Sequence, residues 1–295
     1  MVPKNILVYA FAALIILAVL VSACVSDVTG TDQEAPHTDQ LIVGVSILPQ
    51  EEFVQSIGGE HVKTMILIPS GASPATYSPT TGQMVDIASA DLYFKVGSFL
   101  PFEENYLSTL TTSNPEMTVI DCSAGITLQN NGPHIWNSPE NAILMCRTIA
   151  AALSEADPTH ANDYQYNLEQ YTSQLHELDE NLKIILNTTE SAQPTEQIPF
   201  IVFHPAWGYF ADRYNLLQVA VEVDGKEPSP KELAELIIFA RAENITTIFT
   251  DPQMNSQSAG VIAQQIGGTV VYADPLAKDY CTNLIKMAET IRQVN

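Results

Sequence analysis

Two histidines stand in settings that suit metal chemistry. His204 lies in Ile201-Val202-Phe203-His204-Pro205-Ala206-Trp207, where a β-branched and aromatic run stops at the imidazole and a proline forbids the strand to continue. This predicts a side chain at the carboxyl end of a buried strand, the edge that faces the ligand crevice in open α/β sheets. His134 has a similar neighbourhood, Pro133-His134-Ile135-Trp136, and the chain's two tryptophans each lie within three residues of one of these histidines. Two acids also fall at expected strand ends, Asp251 before Pro252 and Asp274 before Pro275. Two imidazoles and a carboxylate suit Zn²⁺, Mn²⁺ or Fe²⁺, whereas Ca²⁺ asks for more oxygens. Each residue also has an ordinary structural role open to it: a histidine after a strand can serve as a hydrogen-bonded structural residue, and Asp-Pro as a turn or helix cap. The other histidines offer less, since His37 is in a polar segment, His61 at a turn, and His160 and His176 on a predicted long helix.

Positioning these residues requires strands that end together. Strands are expected over 41–47, 62–68, 91–96 and 117–120, with helices over 51–57, 80–90, 101–110 and 141–153. The alternation implies parallel βαβ units. From Asp157-Pro158 to about Leu186 the pattern changes: Tyr164, Leu168, Tyr171, Leu175, Leu178, Leu182 and Ile185 recur at alternating spacings of four and three, one continuous apolar stripe. A coiled coil would show the same stripe. Its position between two βα blocks favours a single helix packed along two lobes.

Alternation then resumes, with strands over 200–203, 219–223, 246–250 and 269–272 and helices over 207–214 and 256–266, the latter stopped by Gly267-Gly268. Ser229-Pro230-Lys231-Glu232 reads as a helix start with N-cap, proline in the first turn and capping box, for a helix running to about Ala242. The expected fold is α/β, with two lobes, each a mostly parallel sheet flanked by helices, joined by one long interdomain helix. The N-terminal lobe covers 41–156, the connecting helix 157–187 and the C-terminal lobe 198–295.

The chain opens differently. After Lys4 an apolar run ends in Leu20-Val21-Ser22-Ala23-Cys24, small residues before a cysteine. This reads as a signal peptide over 1–23, lipid attachment at Cys24 and a flexible tether over 24–40, with an uncleaved transmembrane anchor as the alternative. Either places the globular part outside the cytoplasm. The formal charge is −22, from 34 acids and 12 bases, and loss of the signal removes Lys4 and no acid. Such a surface argues against nucleic acid and anionic lipid as partners and suits a salt-adapted or cation-attracting protein. Cys122, Cys146 and Cys281 form no CxxC, which argues against a thiolate zinc site; a Cys122–Cys146 bridge is one pairing open to them.

Seven stretches, in order and spacing, carry a resemblance: Ser46-Ile47-Leu48-Pro49, Ile57-Gly58-Gly59, Pro69-Ser70-Gly71-Ala72-Ser73-Pro74, Pro133-His134-Ile135-Trp136, Phe203-His204-Pro205-Ala206-Trp207, Gly225-Lys226-Glu227-Pro228-Ser229-Pro230 and Asp274-Pro275-Leu276. Over nearly all of 41–295 the chain resembles the substrate-binding lipoproteins of zinc and manganese ABC transporters, the cluster A-I (TroA-like) family. The resemblance implies a metal held between two lobes, with His134, His204 and Asp274 as ligands. It implies zinc, or manganese, as cargo. The implied partners are an ABC transporter permease and ATPase, and the outer face of the cell membrane through a lipid anchor or N-terminal helix; a monomer that is no enzyme is expected.

The chain departs from the family at Ala75, where the first-ligand histidine usually stands, and it has no histidine-rich acidic loop. Three of four ligands are kept. Water or a neighbouring side chain should fill the fourth position, with Glu104 first and Gln253 second among candidates. Two further readings remain: a metal-dependent hydrolase with an open coordination position, for which only Glu103 or Glu104 offers a general base, and a metal-free surface adhesin of the same fold.

Overall fold

Two sheets of identical topology make up the scaffold. The computed structural model describes residues 40–128, 132–188, 197–222, 226–254 and 256–294. The expected signal segment, Cys24 and all but the last residue of the tether lie outside the described residues, as do much of the polar loop after the long helix and part of the Gly225 motif. The described residues belong to a single unit, Gln40–Asn295.

The first sheet takes β1 (Leu41–Val45), β2 (Val62–Ile66), β3 (Leu92–Lys95) and β4 (Thr118–Asp121) in the order β2-β1-β3-β4, all parallel. Helices α1 (Leu48–Gly58), α2 (Thr81–Ile87) and α3 (Pro101–Ser113) make the crossovers, and α4 (Pro139–Ala156) follows. The second sheet takes β5 (Ile198–Val202), β6 (Leu216–Ala220), β7 (Thr247–Thr250) and β8 (Thr269–Tyr272) in the order β6-β5-β7-β8, again all parallel. Its helices are α6 (Gly208–Arg213), α7 (Pro230–Ala242), α8 (Ser256–Ile266) and α9 (Tyr280–Val294). The central strands β1, β3, β5 and β7 are the most buried, because both of their faces are covered, while the edge strands β2, β4 and β8 are partly exposed. The α7 start is the capping box read from the sequence: Ser229 Oγ accepts from Glu232 N–H, and Glu232 answers at Ser229 N–H.

The long helix is α5, Ala161–Ile185, preceded by a single 3₁₀ turn over Pro158–His160. The turn replaces the first residues of the expected helix; there Asp157 accepts from His160 Nδ1 and Tyr164 Oη. The apolar stripe is buried at Tyr164, Tyr171, Leu175, Leu178 and Leu182. Polar contacts fix α5 to both lobes. Tyr171 donates to Glu52 of α1 at 2.8 Å, and Asn167 donates to the Ile57 carbonyl at 2.9 Å. On the other side Arg213 grips both oxygens of buried Asp179, at 3.0 and 2.7 Å, and Tyr214 adds a third bond. Burial alone would raise the Asp179 pKa; bonds from Arg213, Lys183 and Tyr214 outweigh it and bring it to about 2.

One large core runs through both lobes, from Val43 in β1 to Ile291 in α9, with a smaller one beneath α7 and α8. Trp136 and Trp207 are both fully buried in the large core. Cys122, Cys146 and Cys281 are free thiols, so the Cys122–Cys146 bridge does not form; both are buried in the first lobe, where burial pushes each thiol well up and keeps it protonated. No helix among the described residues is long and apolar enough to cross a membrane.

Candidate metal centre

The strand orders fix where a ligand can sit. In each sheet the two central strands send their connections to opposite sides, and the crevice outside the carboxyl ends of those strands is the natural site. In the second sheet these strands are β5 and β7. The Phe203 N–H bonds to the Phe249 carbonyl at 2.7 Å, so the ladder continues one residue past β5 before Pro205 breaks it. His204 leaves the sheet at that edge, and Asp251 leaves it beside His204, directly after β7.

His204 is held from behind. The Glu222 N–H bonds to the Phe203 carbonyl at 2.9 Å, which sets the end of β6 against the end of β5. Glu222 Oε2 then accepts from His204 Nδ1 at 2.8 Å. With the Nδ1 proton engaged by a carboxylate, Nε2 carries the lone pair and is oriented for a ligand, the arrangement common around metal-binding histidines.

His134 comes from the first lobe but is pinned by the second. It precedes a 3₁₀ turn over Ile135–Asn137. Trp136 Nε1 donates to the Pro275 carbonyl at 2.7 Å, and Asn137 Nδ2 to the Ala206 carbonyl at 3.0 Å. Within the first lobe, Ser98 Oγ donates to the Pro133 carbonyl at 2.7 Å. The His134 ring meets the Trp136 indole edge-on at 5.2 Å between centroids. Its Nδ1 is buried and has no hydrogen-bond partner. Burial, and His204 alongside, depress the His134 pKa to about 3, so the ring stays neutral at physiological pH.

The two imidazoles meet with their Nε2 atoms 3.3 Å apart and their rings at 78°. Two Zn–N bonds of about 2.05 Å at a tetrahedral angle span about 3.3 Å, so the pair is spaced as two ligands of one ion. Beside it lies a cavity of about 30 Å³ lined by Ser73, Pro74, His134, His204, Asp251, Gln253, Met254, Pro275 and Leu276, room for one small ion. A larger cavity of about 420 Å³, between α4 and α6, contains neither histidine, and its Arg213 is already paired with Asp179 and Glu140.

The remaining sequence candidates divide. Asp274 does not line the small cavity; its Oδ1 accepts from Gln253 Nε2 at 2.7 Å and from Leu276 N–H at 2.9 Å. Gln253 does line it. Among the described residues no three His, Cys, Asp or Glu side chains are gathered as a ready-made metal site, so the histidine pair is what the fold sets in place. Glu104 is exposed and is not a cavity residue. Its neighbour Glu103 is buried and turned into its own lobe, where it accepts from Ser46 Oγ and from the Val96 and Gly97 N–H groups. Burial raises its pKa to about 7 against those donors. Ala75 is exposed, and Ser73 and Pro74 of the same turn supply the cavity wall.

Sequence reasoning missed Glu222. The signal available was an acid near the end of the otherwise apolar expected strand 219–223. The second sheet also gathers carboxylates: Glu222 and Asp251 are more than nine-tenths buried, and Asp274 is near. Burial, then Asp274 and Glu222, push the Asp251 pKa well above the ordinary carboxylate range. No Lys or Arg among the described residues forms an ion pair with any of the three.

The chain is 27% identical over 275 residues to the high-affinity zinc uptake system protein ZnuA of Bacillus subtilis (strain 168), covering 84% of this chain and 82% of that one. It is 28% identical over 282 residues to a putative metal-binding protein of Treponema pallidum (strain Nichols), covering 88% and 86%. A crystal structure of ZnuA superposes with a TM-score of 0.81 at 38% identity, covering 87% of this chain and 99% of that one. A zinc-bound internal-deletion variant of ZnuA gives 0.80 at 39%, covering 87% and 98%. The model of one family matches residues 43–294, and the chain belongs to that family: ZnuA, the periplasmic component A of the zinc-uptake complex.

Proposed function

We propose that this chain captures zinc outside the cytoplasm and delivers it to an ABC transporter, holding the ion between its lobes with His134, His204 and Asp274. The observation that carries the reading is the 3.3 Å separation of two imidazole nitrogens contributed by different lobes. The neutral His134 ring accepts a cation without first losing a proton, and Glu222 orients His204 from behind. The surrounding carboxylates supply the charge that compensates it. Asp274 Oδ2 takes the ion while Oδ1 keeps its bonds to Gln253 and Leu276. Borderline nitrogen ligands favour zinc over manganese. A lipid at Cys24 holds the protein as a monomer on the outer face of the membrane, beside a permease that its ATPase drives from the cytoplasmic side.

A hydrolase reading finds little support, since Glu103 is engaged inside its own lobe and Glu104 lines no part of the cavity. Metal analysis of protein purified without chelator tests the proposal. About one zinc per chain, lost on His204→Ala, is expected; metal-free protein that also fails to bind added zinc would overturn it.

A further inference from the structure

We propose that Asp251 is a ligand of the same ion, taking up the coordination that Ala75 cannot supply and giving a site of two nitrogens and two carboxylates. This rests on the metal-capture reading above and adds a residue to it.

Topology is the first argument. Asp251 follows β7 and His204 follows β5, the two strands that flank the switch point of the second sheet. Asp274 follows β8, one strand further out. The second argument is the cavity: Asp251 shares its lining with both histidines, and Asp274 does not. The third is burial. Asp251 is 4% exposed and has Asp274 and Glu222 for charged neighbours, with no Lys or Arg ion-paired to it among the described residues. A buried carboxylate among other carboxylates must either hold a proton or be joined by a cation. A divalent ion at the histidine pair is such a cation, and it would sit against the cavity wall that Asp251 shares with both rings. A second carboxylate in place of an imidazole also hardens the donor set, narrowing the preference for zinc over manganese relative to a three-histidine site.

The test uses the full-length protein and zinc alone, with chelator competition as readout. Asp251→Asn should weaken zinc binding by about tenfold or more. It should leave the melting temperature of the metal-free protein unchanged or higher, and shrink the rise in melting temperature on adding zinc. Asp251→Cys gives a second readout. If residue 251 reaches the metal, its thiolate adds a sulfur-to-cobalt charge-transfer band to the Co²⁺ spectrum, which the parent, with no cysteine among the cavity residues, lacks. Zinc affinity of Asp251→Asn within twofold of the parent, or no new band in Asp251→Cys, overturns the assignment. His204→Ala separates this from the parent reading: if it binds zinc as well as the parent does, the capture site itself is wrong, whereas its loss of binding beside an indifferent Asp251→Asn removes Asp251 alone.

Discussion

His134 and His204 present the same atom to the same point, yet the chain holds them by opposite means. His204 is oriented by a polar contact, the Glu222 carboxylate at Nδ1. His134 has no partner at Nδ1 and is oriented by its surroundings: an indole edge, the cross-lobe bonds of Trp136 and Asn137, and burial. One ligand is tuned by charge and the other by position. The first arrangement raises ligand basicity, while the second keeps the ring neutral in acid and leaves one buried nitrogen unsatisfied.

The largest effect should come from removing either ring. His204→Ala and His134→Ala should each weaken zinc binding by about a hundredfold or more, about 2.8 kcal/mol, by chelator competition. A His134→Ala protein that binds nearly as well as the parent would break the symmetry of the pair and leave His204 as the only histidine ligand. Next is acid sensitivity of the metal-free protein. Between pH about 3 and the ordinary 6.5, the unfolded chain takes up a proton at residue 134 that the folded chain excludes. The His134 contribution to stability therefore rises with pH across that window and is lost on acidification, by about 2 kcal/mol at pH 5. Denaturant melts at pH 7.5 and 5 should show this difference between the parent and His134→Leu; parallel pH profiles would mean that the ring is not shielded.

Glu222→Gln keeps the shape but removes the charge behind His204. Zinc affinity should fall by about tenfold, about 1.4 kcal/mol, and the effect should vanish in a His204→Ala background. Persistence in that background would make Glu222 a general electrostatic contributor. The smallest change is expected from Ala75→His. Ala75 is exposed, while its neighbours Ser73 and Pro74 line the cavity, so the new imidazole must turn inward. A gain of about threefold in zinc affinity is expected, about 0.7 kcal/mol. A much larger gain would mean that the loop presents residue 75 to the ion without rearrangement.

Much of this was legible in the sequence. Proline after His204 and the βα alternation placed the imidazole at a strand end, and the tryptophans beside the two histidines are the buried anchors of the core. The four-three stripe predicted α5, missing only the 3₁₀ turn imposed by Asp157 and Pro158. Adjacent positions on one helix were harder. Glu103 and Glu104 are equivalent in composition, but a 100° turn of the helix buries one and exposes the other. The pairing of Glu222 with His204 was not legible because the two are 18 residues apart and become neighbours only when β6 pairs with β5. The order β6-β5-β7-β8, which separates the surroundings of Asp251 from those of Asp274, is likewise a property of strand pairing that no local pattern contains.

Helix α9 has a consequence for how the protein is assembled. Although it follows β8 of the second lobe, its first residue closes the first: the Tyr280 N–H donates to Glu52, its hydroxyl donates to the Trp136 carbonyl, and its ring stacks edge-on against Phe53. Lys278, just before it, pairs with Glu51 of α1. Leu284, Met287, Ala288 and Ile291 lie in the same core as Val43, Val45 and Phe53. Contacts of such long sequence separation form late and slow the search for the native state. The lobe synthesised first is therefore the one completed last, and an emerging chain exposes an unfinished apolar surface until its C-terminal helix arrives. Shielding is needed over that interval, and α9, remote in sequence from both histidines, sets how long the interval lasts.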